Sequence, residues 1–350
     1  MFHTIDKRPS RSIDIDGENY LFFSGTSYLG LANNEAFNAL LKQGIDRYGS
    51  SFGVSRNGNL RLKIYEKAEQ KLADFVGAPA ALSLSSGMLA GQALVQYFKQ
   101  ENTHFIYAPA VHPANWHEPN IAIPTYSFKA WSDDLIQNFP VYQGPIIILC
   151  NSVDALKMNA FSFDFLKKIP DNQNVTIVID DSHGLGVMHG GRGIFDTIPK
   201  HLNAVVISSL HKAFGIPGGV IFGQNSLIEA ISKTVFFSGC SPIAPAYLEA
   251  YVSADDLYQN LHQKLKANVS LFREKTDLSI FQFHADHAVF YTENDALYGF
   301  LLAQKIFIYS FAYPDINSKP NTRIVLSAWH SEADILQLSA AVNAFVATGF

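Results

Sequence analysis

Two short stretches of the sequence carry side chains able to do chemistry, and a third offers a place to hold an anion. Lys212 lies in Val205-Val-Ile-Ser-Ser-Leu-His-Lys-Ala-Phe-Gly-Ile-Pro-Gly-Gly219, an apolar β-branched run that ends in small hydroxyl residues and passes into a glycine-rich turn. A lysine held among apolar residues loses hydration, its pKa falls, and the neutral amine can form a Schiff base with an aldehyde cofactor. The plainer alternative is an exposed turn lysine beside a glycine hairpin. Earlier in the chain, Val175-Thr-Ile-Val-Ile-Asp-Asp-Ser-His-Gly-Leu-Gly186 reads as a strand buried on both faces that breaks into Asp180, Asp181, Ser182 and His183. Side chains at the carboxyl end of such a strand stand where open α/β sheets bind ligands. A carboxylate there can keep a ring nitrogen protonated, as a pyridine cofactor needs to act as an electron sink. A helix-capping Asp with a core His is the bland reading. The third stretch is Ala80-Ala-Leu-Ser-Leu-Ser-Ser-Gly-Met-Leu-Ala-Gly91, a strand that breaks at Ser85-Ser86-Gly87 into a helix. Free backbone N–H groups at such a helix start form an anion site without any basic side chain, although a simple Ser cap would read the same way.

The elements that must position these groups follow from the same patterns. Apolar runs at Tyr20–Phe23, before Tyr107 and at Pro145–Cys150 predict further strands. Phe37, Leu40, Leu41 and Ile45 recur at helical spacing behind a plausible Asn34 cap, and 62–75 continues as an amphipathic helix. Between them, Gly49 to Gly58 is a glycine- and serine-rich loop around Arg56, which as composition alone reads as a surface linker. Strands alternating with helices predict an α/β fold. From about Ala254 a long amphipathic helix is followed by short strands near Phe281 to Tyr291, the signature of a smaller α+β domain.

The set Asp-Asp-x-His-Gly, a further strand, then Ser-x-x-Lys in a glycine turn resembles the pyridoxal-phosphate enzymes of fold type I, and within them the α-oxoamine synthases. The likeness runs from about Asn19 to about Phe345. It is carried by Ser27–Leu31, Arg47–Arg56, Leu84–Gly87, Asp180–Gly184, Leu210–Gly215 and Arg323–Ala328. It implies an N-terminal arm over 1–30, a large cofactor-binding domain over 31–253 with a mostly parallel sheet flanked by helices, and a small C-terminal domain over 254–350.

The resemblance also implies roles. Lys212 holds the cofactor and moves the proton, Asp180 faces the pyridine nitrogen, His183 the phenolic oxygen, and His112 stacks on the ring. Ser86, Gly87, Met88 and Ser209 take the phosphate, with Ser238 reaching across a homodimer whose active site lies at the interface. Arg323 clamps the α-carboxylate of the amino acid, for which a planar two-donor fork is needed; an edge-strand surface arginine is the alternative. Asn151 is assigned to substrate. Relatives carry a Glu and a Ser in this region where this chain has Asn151 and Ala155, and an Asp where it has Lys157. They also have a longer helical arm before Tyr20. The implied reaction condenses an amino acid, L-alanine, with an acyl thioester such as pimeloyl-CoA, with decarboxylation, to give an α-amino ketone of biotin synthesis. An aminotransferase or carbon–carbon lyase without CoA, and a non-catalytic cofactor- or partner-binding relative, are the alternatives.

Composition limits the partners. With 350 residues, one large and one small domain are expected. Apolar residues make up 48% and charged ones 16%, and the net charge is -5 with no basic block, which argues against nucleic acid. His117, five residues after His112, has no third ligand at zinc-type spacing, so no metal is expected. His211 replaces a residue that is small in relatives and reads as pointing away from Lys212. Two separated cysteines, no apolar run long enough to cross a bilayer and no signal-like apolar segment predict a cytoplasmic protein.

Overall fold

In the computed structural model, which describes residues 3–139, 142–154, 156–158, 161–170, 174–312 and 317–349, two units are built from short apolar strands and amphipathic helices. One comprises Met1–Asn34, Ala155–Asn159 and Asp256–Phe350; the other, Glu35–Asp154 and Ala160–Asp255. In chain order the first half contains strands β1 (Ser12–Ile15) and β2 (Glu18–Phe23), helices α1 (Glu35–Tyr48) and α2 (Lys63–Val76), strand β3 (Ala80–Leu84), helix α3 (Gly87–Phe98), strand β4 (His104–Tyr107), helix α4 (Phe128–Gln137) and strands β5 (Ile146–Asn151) and β6 (Val175–Asp180). Then come β7 (Asn203–Ser209), β8 (Gly219–Gly223), helices α5 (Asn225–Ser232), α6 (Val235–Ser238), α7 (Pro245–Val252) and α8 (Asp255–Lys275), strands β9 (Gln282–Phe283) and β10 (Val289–Thr292), helix α9 (Ala296–Ala303), strands β11 (Ile306–Ala312) and β12 (Pro320–Val325), and helix α10 (Glu332–Ala347).

The larger unit is organised on a sheet of order β3-β8-β7-β6-β5-β4. Pairs β4–β5, β5–β6 and β6–β7 are parallel, whereas β8 runs against both neighbours, so the other five strands point one way. Every residue of β5 and β6 is buried, as expected of strands covered on both faces. This is the mostly parallel sheet flanked by helices that the resemblance implies. The loop 49–58 is fastened by Arg56, whose Nη2 donates to Glu69 Oε2 at 2.9 Å and whose guanidinium lies over the Tyr65 ring. Glu69 in turn accepts the Ser83 N–H at 2.7 Å, so the loop is tied to β3 rather than trailing as a linker.

The smaller unit has its own sheet, of order β1-β2-β11-β12-β10-β9. The N-terminal strands belong to it: β2 pairs in parallel with β11, and Phe23 is wholly buried. Arg11 adds a two-pronged contact to Asp334 at 2.6 and 2.7 Å, and the His330 ring stacks on Phe23 at 4.0 Å. Residues 1–34 therefore group with the C-terminal residues in one unit, because β2 buries Phe23 only as a neighbour of β11. No helix among the described residues is long and apolar enough to cross a membrane.

Candidate active site

Strand register brings the chemical residues of the larger unit to one edge of its sheet. Leu84, Gly219 and Ser209 are partners across β3, β8 and β7, and Asn151, Asp180 and Ile207 across β5, β6 and β7. The ends of five strands that run the same way, β3 to β7, thus deliver Ser86, His112, Asn151, Asp180 and Ser209 to the carboxyl edge, with the Lys212 turn just beyond.

At β3, Ser86 caps α3, its Oγ accepting the Leu89 N–H at 3.1 Å. The first N–H groups of a helix have no partner inside it, which leaves Gly87 and Met88 facing the helix entrance. A Cβ at Gly87 would stand 2.8 Å from the Ser209 Cβ, and one at Gly219 would collide with the Ser86 carbonyl. Only glycine lets the helix start come down onto the end of β7. Met88 is exposed.

Asp180 is buried at the end of β6. Its Oδ1 accepts the Ser182 N–H at 3.0 Å and its Oδ2 accepts the Asn115 amide at 3.2 Å. The adjacent Asp181 is wholly buried, and desolvation raises its carboxyl to about 7, the Asp180 charge adding to the effect and the Ile194 N–H, donated to Oδ2 at 2.9 Å, opposing it. Ser182 Oγ accepts the Ser209 N–H at 2.9 Å, locking the ends of β6 and β7 together. His183, half-buried, follows on this turn.

Lys212 is half-buried in the turn between β7 and β8. Leu210 N–H to Gly218 O at 2.9 Å closes the turn, Ile216 N–H returns to Leu210 O at 3.0 Å, and Gly215 adopts φ 65°. His211 is exposed. His112 caps the one-turn helix Pro113–Asn115, its Nδ1 accepting the Ala114 N–H at 3.2 Å, so the neutral ring carries its proton on Nε2. His112 is exposed as a residue, yet neighbouring atoms desolvate its ring enough to lower its pKa, Asp180 opposing this and Lys212 adding to it. Both charges therefore act on this imidazole. Asn151 is buried and uses its amide on the segment before His112, which it bonds at two points.

Two residues of this edge escape a sequence reading. Asn115, 1% exposed, holds Asp180, and Asp181 anchors the turn that follows it. An Asn three residues after a His carries no signal beyond a cap, and Asp181 is hidden beside Asp180.

The remaining assigned residues lie elsewhere. Ser238 ends α6, where its Oγ accepts from Asn57 Nδ2 at 2.7 Å and its carbonyl from Ser55 Oγ at 2.9 Å, within the same chain. Arg323 belongs to the smaller unit, on β12, a strand flanked by β11 and β10 and not an edge. It is 6% exposed with its guanidinium 4.1 Å from the Tyr309 ring centroid, and its charge opposes the burial that raises the Tyr28 hydroxyl's pKa. Lys157 is exposed, 3.8 Å from Glu293, and Ala155 lies outside the described residues. Among the described residues no three His, Cys, Asp or Glu side chains gather as a metal site requires.

The model of aminotransferase class I and II matches residues 19–342. The chain belongs to that family. It is a pyridoxal phosphate-dependent enzyme of fold type I, of the α-oxoamine synthase type. The residues at the sheet edge fit this cofactor: the glycine cradle at α3 suits a phosphate, the buried Asp180 a protonated ring nitrogen and the Lys212 amine an aldehyde. Curated members similar to this chain include the 8-amino-7-oxononanoate synthases of Fervidobacterium nodosum, 27% identical over 354 residues covering 95% of this chain and 90% of that protein, and of Coprothermobacter proteolyticus, 28% identical with coverage of 96% and 90%. A solved serine palmitoyltransferase of S. paucimobilis shares the fold at a TM-score of 0.85, with 16% identity over 99% of this chain and 93% of that one. The 8-amino-7-oxononanoate synthase of Francisella tularensis does so at 0.72, with 21% identity over 94% and 98%.

Proposed function

We propose that this family member condenses L-alanine with a pimeloyl thioester, releasing carbon dioxide and the free thiol, to give 8-amino-7-oxononanoate for biotin synthesis. The observation that carries the reading is the alignment of Ser86, Asp180 and Ser209 at the sheet edge beside the Lys212 turn, in a chain whose curated relatives of that name match it over nearly its whole length.

In this reading Gly87 and Met88 N–H groups with the Ser209 hydroxyl hold the cofactor phosphate at the α3 dipole. Asp180, steadied by Asn115, keeps the ring nitrogen protonated. Bound there, pyridoxal phosphate supplies an electron-withdrawing ring that acidifies the Cα–H of the attached amino acid. His112 would lie against that ring, and His183 would donate to its phenolic oxygen. The Lys212 amine takes the Cα proton, while Arg323 receives the amino acid's carboxylate. Two copies form the working unit, with Ser238 serving the partner's phosphate, and two free thiols suit a cytoplasmic location.

Thiol release from pimeloyl-CoA, measured with L-alanine, glycine and L-serine in turn, tests this. Release with alanine alone, abolished in Lys212→Ala, is expected. Release only with another amino acid or acyl donor removes the substrate assignment. Conversion of the cofactor to pyridoxamine phosphate by amino acid alone, without thiol release, replaces it by transamination.

A further inference from the structure

The sequence assigns Asn151 to substrate, but the structure occupies both ends of its amide. Nδ2 donates to Ala110 O at 2.6 Å, and Oδ1 accepts the His112 N–H at 3.3 Å. The two bonds bracket Val111 just as a residue of a parallel neighbouring strand would, accepting from one peptide and donating to the carbonyl two residues back. The β4–β5 ladder is parallel, its last strand–strand bond running from Ala108 N–H to Leu149 O at 2.9 Å. Beyond it the backbone diverges, and the Asn151 side chain supplies the next rung.

That rung falls where the loop needs support. Ala110 has φ 59°, a left-handed conformation that costs a non-glycine residue about 1 kcal/mol or more. The next residues are Val111, 3% exposed, and His112, whose ring depends on the backbone direction set here. A primary amide donates and accepts from a single small planar head without carrying charge. A carboxylate has no proton for Ala110 O, and at this position it would also stand beside Asp180, the Cα partner of Asn151 in the β5–β6 register.

We propose that Asn151 is a positioning residue for His112, acting as a side-chain rung that extends the sheet and aims the imidazole. This rests on the reading above for what His112 does, but the rung itself can be tested apart from the reaction. Hydrogen exchange followed by mass spectrometry compares the wild-type protein, loaded with pyridoxal phosphate, with Asn151→Ala and Asn151→Asp. Peptides spanning Val111–Asn115 exchange about tenfold faster in Asn151→Ala, which removes the acceptor for the His112 N–H, and also faster in Asn151→Asp, where a carboxylate oxygen facing the Ala110 carbonyl repels the loop, with peptides of β7 and β8 unchanged. Steady-state kinetics then give a kcat lowered about tenfold with the amino-acid KM altered by less than about twofold, as lost alignment rather than lost binding.

Unchanged exchange at Val111–Asn115 overturns the proposal. So does a raised KM with kcat intact, the signature of a substrate contact. If Asn151→Ala does not fold, the isosteric Asn151→Asp, which keeps the acceptor and loses the donor, decides by the same two readouts. Should the wild type turn over none of the substrates named above, the exchange experiment still decides on Asn151, and only the assigned reaction falls.

Discussion

Asp180 is useful because of what surrounds it. A carboxylate 8% exposed keeps its direction only if its oxygens are bonded, and here one is held by the Ser182 N–H and the other by Asn115. Asn115 in turn leaves its own Oδ1 buried without a hydrogen-bond partner, a cost of about 1–3 kcal/mol. A structure that tolerates this gains something from the other end of the side chain. Replacing Asn115 by the near-isosteric Leu removes one bond to a charged group, so kcat should fall roughly tenfold, and Asp180→Asn should lower it on the order of a hundredfold or more. Both are read by steady-state kinetics together with the absorbance of the bound cofactor. An Asn115→Leu protein with wild-type kcat and spectrum would leave Asn115 a purely structural residue.

At the scale of elements, the first turn of α3 and the end of β7 are pressed together, and Gly87 is the point of contact. A methyl added there meets the Ser209 Cβ at 2.8 Å, so the helix start must move away from the strand. Gly87→Ala is expected to raise the dissociation constant for pyridoxal phosphate about tenfold or more and to lower stability by about 1–3 kcal/mol. Titration of the visible band and urea unfolding measure the two effects; tight binding in the variant would place the phosphate elsewhere. The same reasoning explains why the Lys212 turn is glycine-bearing: Gly215 at φ 65° lets the chain return within the hydrogen bonds that Leu210 makes to Gly218 and accepts from Ile216.

Over the whole molecule, two buried titrating groups give stability opposing pH slopes. Burial lowers His330 from 6.5 to about 4, although its hydrogen bond with the Phe22 carbonyl and the Asp334 charge both favour the proton. The folded state then refuses a proton that the unfolded chain binds, so the stability from neutral His330 is full above 6.5 and is lost as pH falls towards 4, up to about 3 kcal/mol. Asp181 works the other way. Its folded pKa of about 7 lies above the ordinary 3.8, so its contribution is present at acid pH and is lost as pH rises through 7. Asp181→Asn should therefore gain about 2–3 kcal/mol relative to the wild type between pH 5 and pH 8. Urea midpoints at the two pH values check this. A constant difference between the proteins would mean that Asp181 does not carry the proton.

The residue types that do chemistry, and the kind of element each one ends, are written locally. A β-branched run that stops at Asp180 or Ser209, a serine before a helix at Ser86 and glycines around Lys212 are each legible within about a dozen residues, because strand, cap and turn are set by short-range sterics and hydrogen bonding. The α/β class follows from the alternation of such segments, and the mostly parallel sheet from the family resemblance they carry. Neighbourhood is a different matter. That β8 stands between β3 and β7, bringing Ser86 against Gly219, is a pairing of segments over a hundred residues apart. So is the seating of β2 beside β11, which groups residues 1–34 with the C-terminal residues. Asn115 meets Asp180 from 65 residues away, and Asn151 closes a rung that exists only once β4 and β5 lie side by side. Strand order is decided by which faces can be buried together over the whole sheet, a sum that no local window contains. The sequence alone thus determined the chemical groups and the ends of the elements that bear them, while tertiary structure decided which groups touch.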